Sequence, residues 1–482
     1  MSTKRSTYMK APIWRALMAI GMKFHHYASP KPPRPTFKII IPSRLSAGGG
    51  TFKLVFYVPE SYLSEPDGYE FPVVVNFHGG GFTLGTGTDD ARWASSVVTR
   101  AEAVFVSVEY RLAPEYPFSI GVEDGTDALI YLAAHADELR LDPRRIAISG
   151  FSAGGNFAFT IPLMLHDLRN EAGRRTLGQS SSSSSKAPSL RSQKLPKRKF
   201  ANSSTLSLPD SPYGGHASSS QSTSSILKIS DLEPTALEIS HEIPDFTIVC
   251  IVSFYPPTDF RQSRAEKRAT NPHPEKNLPP FLTNLFDDSY LHTNHSVDMS
   301  DPYLSPAAAS DELLRVAYPE DIVLYTCEHD MLNVEGIAFG ERLAGPNINK
   351  KLHGGLIKGV PHAFDKKPNP ISFPKSADRC YAEACAELKR VFGGRTSIDE
   401  RRQLEESYPV ERFEAEAPGD TVIGHEDDPE VGVRRRNSSL SAFRTKWKFK
   451  GKAIESSEVI VEEEPRGRSE SKDDLPPGAV NK

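Results

Sequence analysis

Arg145-Ile146-Ala147-Ile148-Ser149-Gly150-Phe151-Ser152-Ala153-Gly154-Gly155-Asn156-Phe157-Ala158-Phe159 is the stretch that decides how this chain folds. Its first five residues form a short apolar run suited to a buried strand, and the apolar residues after Gly155 continue to Leu165 as a helix. Between them lies G-x-S-x-G, in which small flanking residues permit a sharp strand-to-helix turn that leaves the Ser152 hydroxyl exposed above a sheet. A serine so placed is where acyl transfer needs a nucleophile, although a five-residue pattern alone also fits an ordinary Gly/Ser turn.

Outward from this elbow the chain alternates strands and helices. Phe37 to Ile41 and Thr51 to Val58 read as an antiparallel start around Gly48-Gly49-Gly50. Phe71 to Phe77 and Ala103 to Val108 are rich in β-branched residues, as strands buried on both faces require, and Thr247 to Phe254, Asp321 to Thr326 and Leu352 to Lys358 read as further strands. Helices are predicted around Ala91 to Arg100, Val122 to Ala136, Val334 to Leu343 and Ser376 to Val391. The pattern is that of an α/β fold with a mostly parallel central sheet flanked by helices.

Two long segments break this pattern. From Arg174 to about Ser230 the chain has six consecutive serines, Ser180 to Ser185, and a basic cluster at Lys194 to Lys199. Beyond residue 400 it is charged and lacks a periodic apolar face. Such composition offers too little apolar area to offset the entropy of ordering, so both are expected to be disordered. Arg434-Arg435-Arg436-Asn437-Ser438-Ser439 has the pattern of a basophilic kinase site, which makes kinase regulation of the insert or tail an expectation.

The whole chain has 482 residues and a net charge of −4, which excludes a globally basic nucleic-acid-binding surface. Its four cysteines lack metal or redox spacing, so no metal is expected and a reducing, cytoplasmic setting is. Met9 to Tyr27 is a basic, Trp-containing helix too short and too interrupted by Arg15 to span a bilayer. Packing over the domain as part of a cap is the first expectation for it, and peripheral contact with a membrane surface the second.

A serine nucleophile needs a base, and the base needs an orienting carboxylate. Asp330 follows the strand ending at Thr326, and His362 follows the one ending near Lys358. Both therefore fall at carboxyl ends of consecutive strands, where sites of open α/β sheets gather. Glu328 and His329 are neighbours of lower rank, the first too close to the strand end and the second adjacent to the acid. The strand at Phe77 runs into His78-Gly79-Gly80-Gly81-Phe82, a loop able to offer backbone N–H groups to a developing oxyanion. Gly80, Gly81 and Ala153 are the expected donors, with His78 and Gly79 organising the loop.

HGGGF at 78–82, YRLAPEYPF at 110–118, GFSAGGN at 150–156, DPYLSP at 301–306 and the Asp330/His362 pair resemble the hormone-sensitive lipase family of α/β-hydrolases. The resemblance covers roughly residues 70–395 apart from the insert. It implies carboxylic-ester hydrolysis through Ser152, His362 and Asp330, without a cofactor, on short- to medium-chain acyl esters, acetylated small molecules or lipids. On this reading residues 1–35 form a helical cap segment, 36–395 the hydrolase domain interrupted by the insertion at 174–235, and 396–482 the tail. Phe82, Tyr110 and Phe151 are expected to line the substrate pocket. Two departures stand out. Phe151 occupies a position that is usually acidic, and Asp330-Met331-Leu332-Asn333-Val334 retains the first aspartate of D-P-L-x-D but lacks its proline and second aspartate. The alternatives are a deacetylase or amidase using the same triad, a scaffold protein, and a non-catalytic receptor on this fold, of a kind that lacks the histidine found here at 362.

Overall fold

The strand-like runs assemble into one eight-stranded sheet in the computed structural model, which describes residues 2–176, 243–291 and 296–393. The strands are β1 (Phe37–Pro42), β2 (Thr51–Tyr57), β3 (Phe71–Phe77), β4 (Val104–Glu109), β5 (Leu141–Phe151), β6 (Ile248–Phe254), β7 (Asp321–His329) and β8 (Lys351–Pro361). They are ordered β1-β2-β4-β3-β5-β6-β7-β8. β2 is antiparallel to both of its neighbours, and every pairing from β4 to β8 is parallel. The Ser-rich insertion, the kinase-like pattern and the charged tail lie outside the described residues.

The helices are α1 (Ser2–Tyr27), α2 (Ala91–Ser96), α3 (Ile120–Ala134), α4 (Ala153–Thr176), α5 (Arg264–Ala269), α6 (Pro280–Tyr290), α7 (Asp311–Ala317), α8 (Asn333–Ala344) and α9 (Lys375–Val391). The helix expected through Arg100 instead widens into a π-type turn at Val97–Ala101, ending at Glu102 with φ +53°. Alternation along each strand splits the core between the two faces of the sheet. Val73, Val75 and Phe77 join Leu129, Phe157 and Phe339 from α3, α4 and α8. Val74, Phe105 and Val252 face the opposite way, towards Trp93 of α2 and Tyr381 and Leu388 of α9. Trp93 is fully buried, and its indole N–H donates to Ser149 Oγ at 3.1 Å. Burying an aromatic of this size contributes about 2–3 kcal/mol, provided its polar edge is satisfied.

The motifs outside the elbow act as fasteners. Arg111 of YRLAPEYPF makes a buried ion pair with Asp124 of α3 at 2.7 Å and donates to Gly49 O and Ser43 Oγ. It thereby ties the β1–β2 turn to the helical layer, and removing one partner of such a pair costs about 3–5 kcal/mol. Asn156 donates through Nδ2 to Pro257 O and to Leu304 O of DPYLSP, both at 2.9 Å. All four cysteines are buried and unpaired with one another, and burial pushes their thiol pKa values up.

Candidate active site

Four loops leave the carboxyl ends of β3, β5, β7 and β8 and meet above the sheet. The loop after β5 is the elbow. Ser152 has φ +52°, donates its N–H to Phe254 O at 2.9 Å and accepts from Asn156 N at 3.0 Å. A serine in the left-handed region is strained, and these two bonds hold it there. Gly154 packs so close to β3 that a Cβ on it would lie 1.9 Å from Phe77 O, so no larger residue fits.

β7 delivers the acid. Its ladder with β8 is irregular between Cys327 and His329, and the Glu328 carboxylate at that irregularity accepts from Gly359 N at 2.6 Å. Glu328 is thus a brace for β8. His329 packs edge-on against His273 at 4.2 Å. Asp330 is buried, with Oδ1 accepting from Leu332 N at 3.0 Å and Oδ2 lying 2.6 Å from His362 Nδ1. On the other edge of the imidazole, His362 Nε2 is 2.9 Å from Ser152 Oγ. With the proton on Nδ1 facing the carboxylate, Nε2 is the acceptor for the serine O–H.

The β3 loop closes the site from the other side. Gly80 and Gly81 have φ +119° and +58°, and a Cβ on Gly81 would land 2.1 Å from the Phe286 ring. Among the described residues the N–H groups of Gly80 and Gly81 meet no acceptor. Ala153 is the first residue of α4, where helical geometry leaves the N–H without an intrahelical partner. His78 is buried, stacks on Tyr110 at 4.3 Å, and lies with Nδ1 2.8 Å from Gly79 O. The Tyr110 hydroxyl donates to His78 O at 2.9 Å. This corrects the pocket expectation for Tyr110. Its ring is spent buttressing the loop from within the core and reaches neither cavity.

Two cavities flank Ser152 and His362. The larger, about 150 Å³, is walled by Met18 and Met22 of α1, Leu84, Phe151, Leu282 and Phe286. The smaller, about 30 Å³, lies against Phe82, Phe260, Arg264, Asp287 and Tyr290. Phe286 borders both. Phe82 lines the smaller cavity and Phe151 the larger, and α6 adds Phe286, a residue for which the sequence carries no motif.

Phe151 sits among aromatic and charged neighbours. Its ring stacks on Phe254 at 4.4 Å and lies under the Lys366 ammonium at 3.8 Å. Lys366 also pairs with Asp90 at 2.8 Å and with Asp365 at 3.3 Å, and Tyr255 and Tyr381 donate to the two Asp365 oxygens at 2.5 Å. Burial opposes both charges. Even so, Asp90 and Asp365 hold the Lys366 pKa above its ordinary value, and Lys366 holds the Asp365 carboxyl below the usual range. At the other departure, Glu335 beside Val334 accepts from Thr258 N at 2.9 Å and pairs with the buried Lys267 of α5 at 2.5 Å.

α1 roofs the larger cavity. Arg15 fastens it by donating to Thr83 O at 2.8 Å, to Ala113 O at 2.7 Å and to the Glu115 carboxylate at 2.6 Å. Trp14 stacks on Phe281 of α6 at 4.9 Å, and Arg92 donates to His25 O and Ala28 O at 2.8 Å. Burial, with help from Lys366 and Arg92, pushes the His25 pKa down to about 3. No helix among the described residues is long and apolar enough to cross a membrane.

A sequence profile of the alpha/beta hydrolase fold matches residues 74–222 and 232–366. The chain belongs to the alpha/beta hydrolase fold family. Among curated members, an AB hydrolase superfamily protein of Schizosaccharomyces pombe is 44% identical over 88 residues, 18% of this chain and 26% of the relative. Carboxylesterase NlhH of Mycobacterium tuberculosis is 43% identical over 97 residues, 20% of this chain and 30% of the relative. The matched stretches therefore span less than a third of those relatives. In three dimensions this alpha/beta hydrolase is similar to an esterase of Pyrobaculum calidifontis, with a TM-score of 0.53 and 22% identity over 79% of this chain and 93% of the esterase. It is similar also to the metagenomic carboxylesterase EstE1, with a TM-score of 0.52 and 20% identity over 79% of this chain and 97% of the other. At such identity the likeness is one of fold.

Proposed function

We propose that this alpha/beta hydrolase cleaves carboxylic esters of small molecules or lipids, with short- to medium-chain acyl groups, through Ser152, His362 and Asp330. The observation that carries the reading is the continuous chain Asp330 Oδ2, His362 Nδ1, His362 Nε2, Ser152 Oγ, with links of 2.6 and 2.9 Å. His362 Nε2 takes the hydroxyl proton as Ser152 Oγ attacks the ester carbonyl carbon. The carbonyl oxygen becomes an oxyanion facing the N–H groups of Gly80, Gly81 and Ala153. The imidazolium, stabilised by Asp330, then protonates the departing alkoxide. Water, deprotonated by the same nitrogen, attacks the acyl-serine and releases the acid and the free serine. The two cavities give each half of an ester its own side of Ser152, and the apolar walls of the larger suit a hydrocarbon chain. Relatives named carboxylesterase and esterase support the reaction class.

Purified protein assayed on nitrophenyl esters of increasing acyl length is expected to turn over the short to medium chains. Ser152→Ala is expected to lose at least about 10⁴-fold in kcat while melting at the same temperature. A serine-reactive phosphonate should label the wild type alone. Equal activity in the two proteins would sink the reading. Activity confined to anilide substrates would move it to amide chemistry.

A further inference from the structure

The outward side of α1 carries an apolar stripe for which the site has no use. Met9, Ile13, Leu17, Ile20, Phe24 and Tyr27 recur every three or four residues, which aligns them along one line of a helix. Each is between 49% and 67% exposed. The stripe extends for about 27 Å at the helical rise per residue. The opposite side is already occupied, since Ala11 and Met22 are buried and Met18 and Met22 wall the larger cavity. A continuous apolar line of this length in water marks a surface that takes an apolar partner.

Charge identifies that partner. The first 59 residues hold ten lysines and arginines and no aspartate or glutamate, in a chain that is net negative. At 100° per residue, Lys10 and Lys23 fall on opposite borders of the stripe. Both are exposed, and neither has a carboxylate partner among the described residues. A second copy of the chain docking through the same face would set these lysines against their own kind, which an isologous contact disfavours. An anionic lipid surface satisfies both features at once, apolar depth under the stripe and phosphate or carboxylate along its borders.

We propose that α1 lies in the surface of an anionic phospholipid bilayer, with its stripe at the headgroup–acyl boundary and Lys10 and Lys23 among the headgroups. The element gripped by lipid is then also the roof of the larger cavity. This proposal does not depend on the ester-cleaving reading, because it is read out by binding.

The test sediments full-length protein with vesicles of phosphatidylcholine alone and with vesicles containing about 30% phosphatidylserine, at low and high salt. Binding is expected to favour the phosphatidylserine vesicles at least about tenfold and to weaken with salt. The combined variant Leu17→Gln/Ile20→Gln/Phe24→Gln should lower binding about tenfold or more. None of the three side chains reaches either cavity, so turnover of a water-soluble nitrophenyl ester should stay within about twofold. Lys10→Glu/Lys23→Glu should abolish the preference for phosphatidylserine. Equal sedimentation of wild type and the triple variant overturns the proposal, as does binding indifferent to lipid charge. So does a wild-type dimer that the triple variant dissolves in the absence of lipid, which would assign the stripe to self-association.

Discussion

The floor of the site and its roof are held in place by different kinds of bonding. On the floor, Ser152, Asp330 and His362 stand at the ends of β5, β7 and β8 of one parallel ladder, and that ladder sets their spacing before any side chain is chosen. Over it, α1 and α6 are fastened by single side chains such as Arg15, Arg92 and the Trp14–Phe281 stack. The sheet unfolds as a unit with the core, whereas elements held by few contacts can open at lower free-energy cost. The Asp330–His362–Ser152 chain therefore sits on the cooperative part of the molecule, and the cavity roof on the part that can yield.

The sharpest way to break this division is at the floor. Asp330→Asn keeps the shape of the side chain but turns an acceptor towards His362 into an amide. It is expected to lower kcat about 10³–10⁴-fold with little change in KM. A loss under about tenfold would remove Asp330 from its orienting role.

Where floor and roof touch, Gly81→Ala combines an unfavourable φ with a Cβ driven into Phe286. Steady-state kinetics should show a fall of about 10²–10³ in kcat. Adding Phe286→Ala should recover part of the loss by removing the collision, leaving the backbone penalty. No recovery would mean that the roof does not bear on the glycine loop.

On the roof alone, Phe286→Ala joins the two cavities. Relative kcat/KM should shift about tenfold towards longer or bulkier acyl groups, with about 3 kcal/mol lost from stability in denaturant titration. An unchanged chain-length profile would deny Phe286 any part in selection.

The smallest effect concerns how the roof is pinned. His25 stays neutral in the fold, with its pKa pushed down to about 3, while the unfolded chain takes up a proton below about 6.5. The unfolded state therefore binds more protons as pH falls through that window, and this part of the stability is present above pH ~6.5 and lost below it. Between pH 7.5 and 5 the wild type should lose about 2–4 °C more in melting temperature than His25→Gln. Parallel slopes would show that His25 remains accessible to protons in the folded protein.

The same contrast explains what the sequence discloses. The elbow, the glycine loop, Asp330 and His362 are legible because each obeys a short-range rule, a turn that tolerates only small residues or a polar residue just past a buried strand. Phe286 is not, because α6 follows a proline-rich stretch and α5 and α7 are too short for an apolar period to emerge. The position of Tyr110 after β4 does not say which way its ring turns. The cation over the Phe151 ring is Lys366, far away in sequence, and only the fold brings them together.

The burial of all four thiols has a practical consequence. A cysteine introduced on the outer line of α1 would be the one reactive sulfhydryl on the described surface, so a maleimide dye or nitroxide could be attached there without first stripping the native residues. The natural chain is in that sense already a blank background for spectroscopy of its own N-terminal helix.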